Sequence, residues 1–163
     1  MMKTTLFLLL LTFQIGLAQT SYGTPNNETP LPEKIKDLKI AIEVAHFPKE
    51  NDPIKIDNTY YWKHATAILC KKSEIKIIEY GAYLFYNNKW NLRKSYPLKD
   101  LDKTFGTKKQ TMLQGQPYVW QNNWRIGNKL FGGWAMWYFI GKTKNGETIC
   151  GYETINTTSN LLN

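Results

Sequence analysis

Leu130-Phe131-Gly132-Gly133-Trp134-Ala135-Met136-Trp137-Tyr138-Phe139-Ile140-Gly141 is the stretch on which the fold turns. Read as a strand, its side chains alternate between two sides. Trp134, Met136, Tyr138 and Ile140 take one side, and Phe131, Ala135, Trp137 and Phe139 take the other. Both sets are apolar. Such a strand is either central and covered on both sides, the reading preferred here, or core on one side and the wall of a ligand cavity on the other. On the covered reading, Gly132 and Gly133 mark a bend or a close backbone approach. Asn145-Gly146 then offers a favoured type I′ hairpin pair, and Glu147 to Ile155 supplies the returning strand.

Working outward, the β pattern continues upstream. Thr111–Gln114, Tyr118–Trp120 and Trp124–Ile126 are strand-like pieces separated by Gly, Pro or Asn. Pro97 to Phe105, stopped by Gly106, predicts a short helix with Leu98, Leu101 and Phe105 on one side. Asn87-Asn88 suits a two-residue hairpin loop, because Asn tolerates positive φ. That loop sets Phe85 opposite Trp90, Tyr83 opposite Leu92 and Arg93 opposite Ala82. Tyr60 to Leu69 reads as one aromatic and β-branched strand, and Glu74 to Tyr86 as another, interrupted at Gly81. Residues 33–47 carry two patterns at once. Ile35, Leu38, Ile42 and Ala45 follow helical spacing, whereas Leu38, Ile40, Ile42 and Val44 alternate. The bracketing Pro32 and Pro48 favour the helix. The expected fold is α+β and mainly antiparallel β, a sandwich or partly open barrel carrying one or two short helices.

The N-terminus predicts export. Lys3 gives a positive start, Leu6 to Leu11 an apolar core, and Gly16-Leu17-Ala18 a small-x-small cleavage pattern before Gln19. Residues 1–18 are therefore expected to be a signal peptide, 19–32 a flexible polar leader, 33–155 a single β-rich domain and 156–163 a C-terminal tail. The apolar run is too short to span a bilayer, and no cysteine lies near the cleavage point, so no membrane anchor is expected. Periplasmic or extracellular residence follows. The formal charge of +8 favours acidic partners. The lysines fall singly or in pairs, however, and an exported chain meets little nucleic acid, so nucleic-acid binding is set aside. Cys70 and Cys150, the two cysteines of the chain, are candidates for one disulfide worth about 4 kcal/mol on the loop-entropy argument.

Six tryptophans are the most suggestive chemical feature. An indole face stacks on a sugar ring or holds an apolar side chain, while Asn and Arg supply directional hydrogen bonds. The chain has two arginines among 21 basic residues, and both lie near tryptophan, in Trp90-Asn91-Leu92-Arg93 and Asn123-Trp124-Arg125. The candidate ligand-binding residues are Trp90, Arg93, Trp120, Trp124, Arg125 and Trp134. The alternative is that the tryptophans are core and the arginines pair with acids or stack on rings. Glu79 continues the alternating row Ile75, Ile77, which predicts a carboxylate aimed at an apolar face and held by an ion pair, unless a bulge at Gly81 turns it towards Arg93.

Catalytic signals are sparse. His46 and His64 belong to no metal-binding or nucleophile motif, and no catalytic residue, metal or cofactor is assigned. A hydrolase would need His64 to converge with Glu79 or Asp57. The expected function is an exported, soluble, non-enzymatic binding module with an aromatic surface or cavity for a glycan, a peptide or a small apolar ligand. The alternative is an inhibitor or immunity-type protein that binds one protein partner.

Overall fold

The computed structural model describes residues 22–162. The expected signal peptide, 1–18, and the start of the leader lie outside the described residues. The chain is mostly β with one short helix. In order it forms β1 (Lys39–Ile40), β2 (Glu43–Phe47), β3 (Glu50–Asn51), β4 (Ile54–Ile56), β5 (Thr59–Trp62), β6 (Ala65–Leu69) and β7 (Ile75–Tyr86). There follow β8 (Lys89–Ser95), α1 (Leu98–Phe105), β9 (Thr111–Met112), β10 (Tyr118–Trp120), β11 (Arg125–Gly127), β12 (Gly133–Thr143) and β13 (Thr148–Thr157). A seven-stranded sheet in the order β1-β13-β12-β7-β8, with β3 added to β13 and β9 to β7, curls into a half-barrel. β1 and β3 run parallel to β13, so this sheet is mixed. Two antiparallel three-stranded sheets, β10-β6-β2 and β11-β5-β4, complete the fold.

β12 is central and apolar on both faces, and both are covered. Trp137 and Phe139 enter the main core with Ile77, Tyr80, Ala82 and Ile155 of the large sheet, Leu101 and Phe105 of α1, and Ile68 and Tyr118 of the β10-β6-β2 sheet. Met136, Tyr138 and Ile140 enter a second core with Ile35, Tyr83 and Cys150. Each such side chain taken from water contributes roughly 1.5–3 kcal/mol, so neither face can be left bare. α1 presents Leu101 and Phe105 to the main core and ends at Gly106, whose φ of 75° suits the left-handed cap.

The expected helix over 33–47 does not form. A single turn follows Pro32, with the Ile35 and Lys36 N–H groups both donating to the Pro32 carbonyl at 3.0 Å, and then the chain extends. The extended reading prevails, though not as one alternating row, since Ile42 is buried and Ile40 exposed; the backbone finds partners on both sides, β1 with β13 and β2 with β6. Ile42 is buried where Gly151 leaves room, since a Cβ on Gly151 would stand 2.2 Å from the Ile42 carbonyl oxygen. Leu31, Leu38 and Ile35 of this segment cover the second core, so the latter part of the expected leader packs against the sheet. The expected tail is also shorter, because β13 runs to Thr157 and Leu162 N–H donates to the Pro53 carbonyl at 2.9 Å.

Two register shifts decide where charged groups point. Ile77 pairs with Gly141 and Glu79 with Ile140, leaving Ile78 as the extra residue. The bulge lies at Ile78, not at Gly81 where the alternative placed it, and it turns Glu79 to the second-core side. There Glu79 Oε1 accepts from Lys34 Nζ at 2.5 Å, Tyr138 OH at 2.6 Å and Ser95 Oγ at 3.1 Å. A Cβ on Gly81 would meet the Tyr138 hydroxyl at 2.9 Å, so this glycine makes room for the bond. On β8, Phe85 opposes Trp90 and Tyr83 opposes Leu92 as expected, but Ala82 then pairs with Lys94 and Arg93 is the extra residue. Asn87 and Asn88 both have positive φ, as a type I′ loop requires. Of Asn145-Gly146 only Gly146 does, and the Gly146 N–H donates to Thr143, so that hairpin closes through a three-residue loop rather than type I′.

The cysteines are not bonded to each other. Cys70 is buried in the main core, with its thiol 3.2 Å from the Leu113 carbonyl, and Cys150 is buried in the second core. The large sheet lies between the two cores, which puts the sulfurs out of bonding reach. Both thiols should therefore react with a maleimide only after unfolding, with two equivalents taken up in denaturant without added reductant. A mass shift showing one equivalent or none would contradict the structure.

Burial works to raise the Glu79 carboxyl, but the bonds from Lys34, Tyr138 and Ser95 hold it below the ordinary carboxylate range. That contribution is present above the unfolded-state pKa and is lost as pH falls through the lower folded one. Glu79→Gln should cost about 1 kcal/mol at neutral pH, discounted for partial exposure. Urea titrations should show this cost shrinking below about pH 4.

Candidate aromatic cavity

Tyr60 to Leu69 does not form one strand. The chain leaves the β11-β5-β4 sheet after Trp62 and joins the β10-β6-β2 sheet at Ala65, with Lys63-His64 as the corner. Asn51 Nδ2 donates to the Lys63 carbonyl at 2.8 Å and Trp62 Nε1 to the Thr158 carbonyl at 2.8 Å, which hold the corner in place. Where the sheets part, beside the first residues of β12, a cavity of about 330 Å³ opens.

Aromatic rings make its wall. Tyr96 stacks on Trp137 with centroids 5.4 Å apart, and Trp120 meets Trp137 edge to face at 5.5 Å. Trp124, 38% exposed, stands at the mouth with Lys63 Nζ 4.8 Å from its ring centroid. Phe131 and Tyr22, 43% and 59% exposed, lie across from it with ring centroids 5.8 Å apart. Gly132 lets the chain pass close to β13, since a Cβ there would sit 2.8 Å from the Thr157 carbonyl oxygen.

Of the six candidate residues, Arg93, Trp120, Trp124, Arg125 and Trp134 all line this cavity. Trp90 does not. It stacks edge to face on Phe85, 5.1 Å away, and packs against the second core behind the sheet. β12 is covered on each side, and on its main-core face Ala135 and Trp137 also line the cavity. Arg93 reaches the cavity because the alternation along β8 puts it on the side opposite Trp90 and Leu92.

Arg125 is held between two rings, with its guanidinium carbon 4.2 Å from the Trp62 centroid and 4.1 Å from that of Phe131. Nη1 donates to Thr157 Oγ1, while the shielded Nη2 has no partner. Burial, followed by the neighbouring charge of Arg93, lowers the Arg125 pKa to about 10, so the group remains a cation at neutral pH.

A buried polar row backs the cavity. His46 Nε2 lies 3.3 Å from the Glu153 carbonyl oxygen, which can only accept, so Nε2 carries the proton. Nδ1 then accepts from Thr66 Oγ1 at 2.9 Å, and Thr66 Oγ1 in turn accepts from Asn123 Nδ2 at 2.8 Å. His64, whose ring centroid lies 5.9 Å from that of His46, faces the Trp62 carbonyl oxygen through Nδ1 at 3.3 Å. By the same logic its Nε2 is an acceptor, and it is buried without a partner. An unmet buried polar atom costs roughly 1–3 kcal/mol. Trp62, His64 and Thr157 carry no local motif that marks them for this site, whereas Asn123 stands in the Asn123-Trp124-Arg125 run.

The hydrolase constellation is not assembled. Glu79 is engaged in the second core, Asp57 sits exposed in the β4–β5 turn, and the cavity lining contains neither a carboxylate nor a thiol. Among the described residues, no three His, Cys, Asp or Glu side chains come together to hold a metal ion. No helix among them is long and apolar enough to cross a membrane. Comparison with known proteins returns no matching family model, no similar curated protein and no similar solved structure. The cavity itself must carry the functional argument.

Burial pushes both histidines down to about 4, with the charge of His46 adding to the effect on His64. Their folded pKa values lie below the unfolded one, so the stability they contribute is present above about pH 6.5 and is lost as pH falls towards about 4. Urea midpoints should fall between about pH 6.5 and pH 5, where most carboxylates are still ionised. His64→Gln should flatten that fall by about half, since two histidines share it.

Proposed function

We propose that this chain is an exported, non-enzymatic binding module whose half-barrel, closed in sandwich fashion by the β10-β6-β2 sheet, takes one small ligand by its apolar or aromatic body. The observation that carries the reading is convergence. Trp120, Trp124 and Trp134, far apart in sequence from Arg93, meet it and Arg125 around one cavity. A volume of about 330 Å³ lies at the low end of small-molecule sites. Stacked rings backed by a few directional polar groups are the arrangement such sites use.

A second reading, a factor that binds one protein, draws on the exposed rim. Ile126 and Phe131, 59% and 43% exposed, line the cavity and, with the exposed Leu130 beside Phe131 in the chain, would suit a partner's side chain.

Thermal-shift screening of the chain from Gln19 onward, against small aromatic, aliphatic and glycan libraries, separates the two. At least one small-molecule class should raise Tm. Trp124→Ala, at an exposed ring, should weaken that ligand about tenfold with little change in Tm of the free protein. No shift with any class, together with recovery of one stoichiometric protein partner, would overturn the proposal in favour of the second reading.

A further inference from the structure

We infer that the ligand of this cavity is a monocarboxylate with a flat apolar body, its carboxylate taken by Arg93 and Arg125 and its body by the Trp120–Trp137 wall. The inference rests on the binding reading above and specifies the chemistry of that same site. Its starting point is a selection. Every ion pair among the described residues uses lysine: Lys34 with Glu79, Lys36 with Glu33, Lys39 with Glu147, Lys49 with Glu153, Lys71 with Glu43 and Lys144 with Glu74. The two arginines of the chain have no carboxylate partner among these residues, yet both line one cavity whose lining includes no Asp or Glu. Two like charges brought together without a counter-ion oppose each other, and an anion between them relieves that cost.

Geometry narrows the anion. The Trp62 and Phe131 rings both press on the Arg125 guanidinium, 4.2 and 4.1 Å from its carbon, and Thr157 already takes Nη1, so Nη2 is the donor left to offer. A planar carboxylate meets a guanidinium edge in plane, and an apolar body attached to it would lie along the Trp120–Trp137 wall. Arg93 is exposed and meets an arriving carboxylate first, and the unmet, shielded Nη2 of Arg125 is the second donor in the same lining. His64 Nε2, the unmet acceptor in the same lining, would receive a hydroxyl carried by the ligand.

The test compares 2-naphthoate, 2-naphthamide and 2-naphthyl phosphate by quenching of tryptophan fluorescence and by thermal shift, on the chain from Gln19 onward. The naphthoate should bind about tenfold tighter than the isosteric amide. Arg93→Gln should abolish most of that difference, weakening the naphthoate more than the amide. Arg125→Gln should do the same, and because its side chain is stacked in the structure, exposed Arg93 provides the control that does not depend on folding. Equal affinity for acid and amide overturns the carboxylate assignment while leaving the apolar-ligand reading intact. Tighter binding of the phosphate overturns it in favour of a phosphoryl group. Binding of none of the three overturns it as well, and the library screen described above then decides whether the parent reading survives.

Discussion

A strand that is apolar on both faces imposes a demand that an ordinary surface strand does not: it needs two separate covers. β12 imposes that demand on this fold. One cover is the β10-β6-β2 sheet with α1, and it makes the main core. The other is the turn after Pro32 with Leu38, Trp90 and Tyr152, and it makes the second. The second cover is thin and depends on polar fastening. Lys34 reaches across to Glu79, which also holds Tyr138 of β12 and Ser95 of β8. Glu79 can serve this way only because the bulge at Ile78 reverses the parity of β7.

The cavity is where the first cover stops. Along β12 the rings of Phe139 and Trp137 are matched by Phe105, Tyr80 and Trp120. Towards its start the opposing chain turns away at Lys63-His64 into a different sheet, and nothing of equal size takes its place. The walls are then the edges of core residues, with the two arginines among them. Arg125 is as much a structural member as a polar one, because its guanidinium fills the slot between Trp62 and Phe131 that an apolar side chain would otherwise occupy.

Much of this was legible in the residues. The alternation of β12, the Asn87-Asn88 loop with two of its three expected cross-strand pairs, and the amphipathic run ending at Gly106 are local signals, and each maps onto an observed element. The tryptophan and arginine composition pointed to five residues that the fold brings together. What stayed hidden depends on distant partners. At 33–47 two periodicities coincide, and only the available edges of β13 and β6 decide between them. The corner at Lys63-His64 contains no glycine or proline to announce it. The bulges at Ile78 and Arg93 come from register against neighbouring strands, and the cysteines could not be assigned until the sheet between them was seen. Trp90 resembled its fellow tryptophans in sequence, yet strand parity sends it to the second-core face, away from Trp120 and Trp137.

The parallel pairing of β1 and β3 with β13 has a kinetic meaning. Lys39 and Ile40 bond to a strand that begins more than a hundred residues later, so their register is unavailable until that strand has been synthesised. Without it Ile42 has no Gly151 to settle against, and β12 lacks its principal neighbour on one side. A growing chain can form the β7–β8 hairpin early, but it cannot close either core. Assembly is thus deferred until synthesis has passed Thr157, and until then the polypeptide remains threadable rather than committed to a shape.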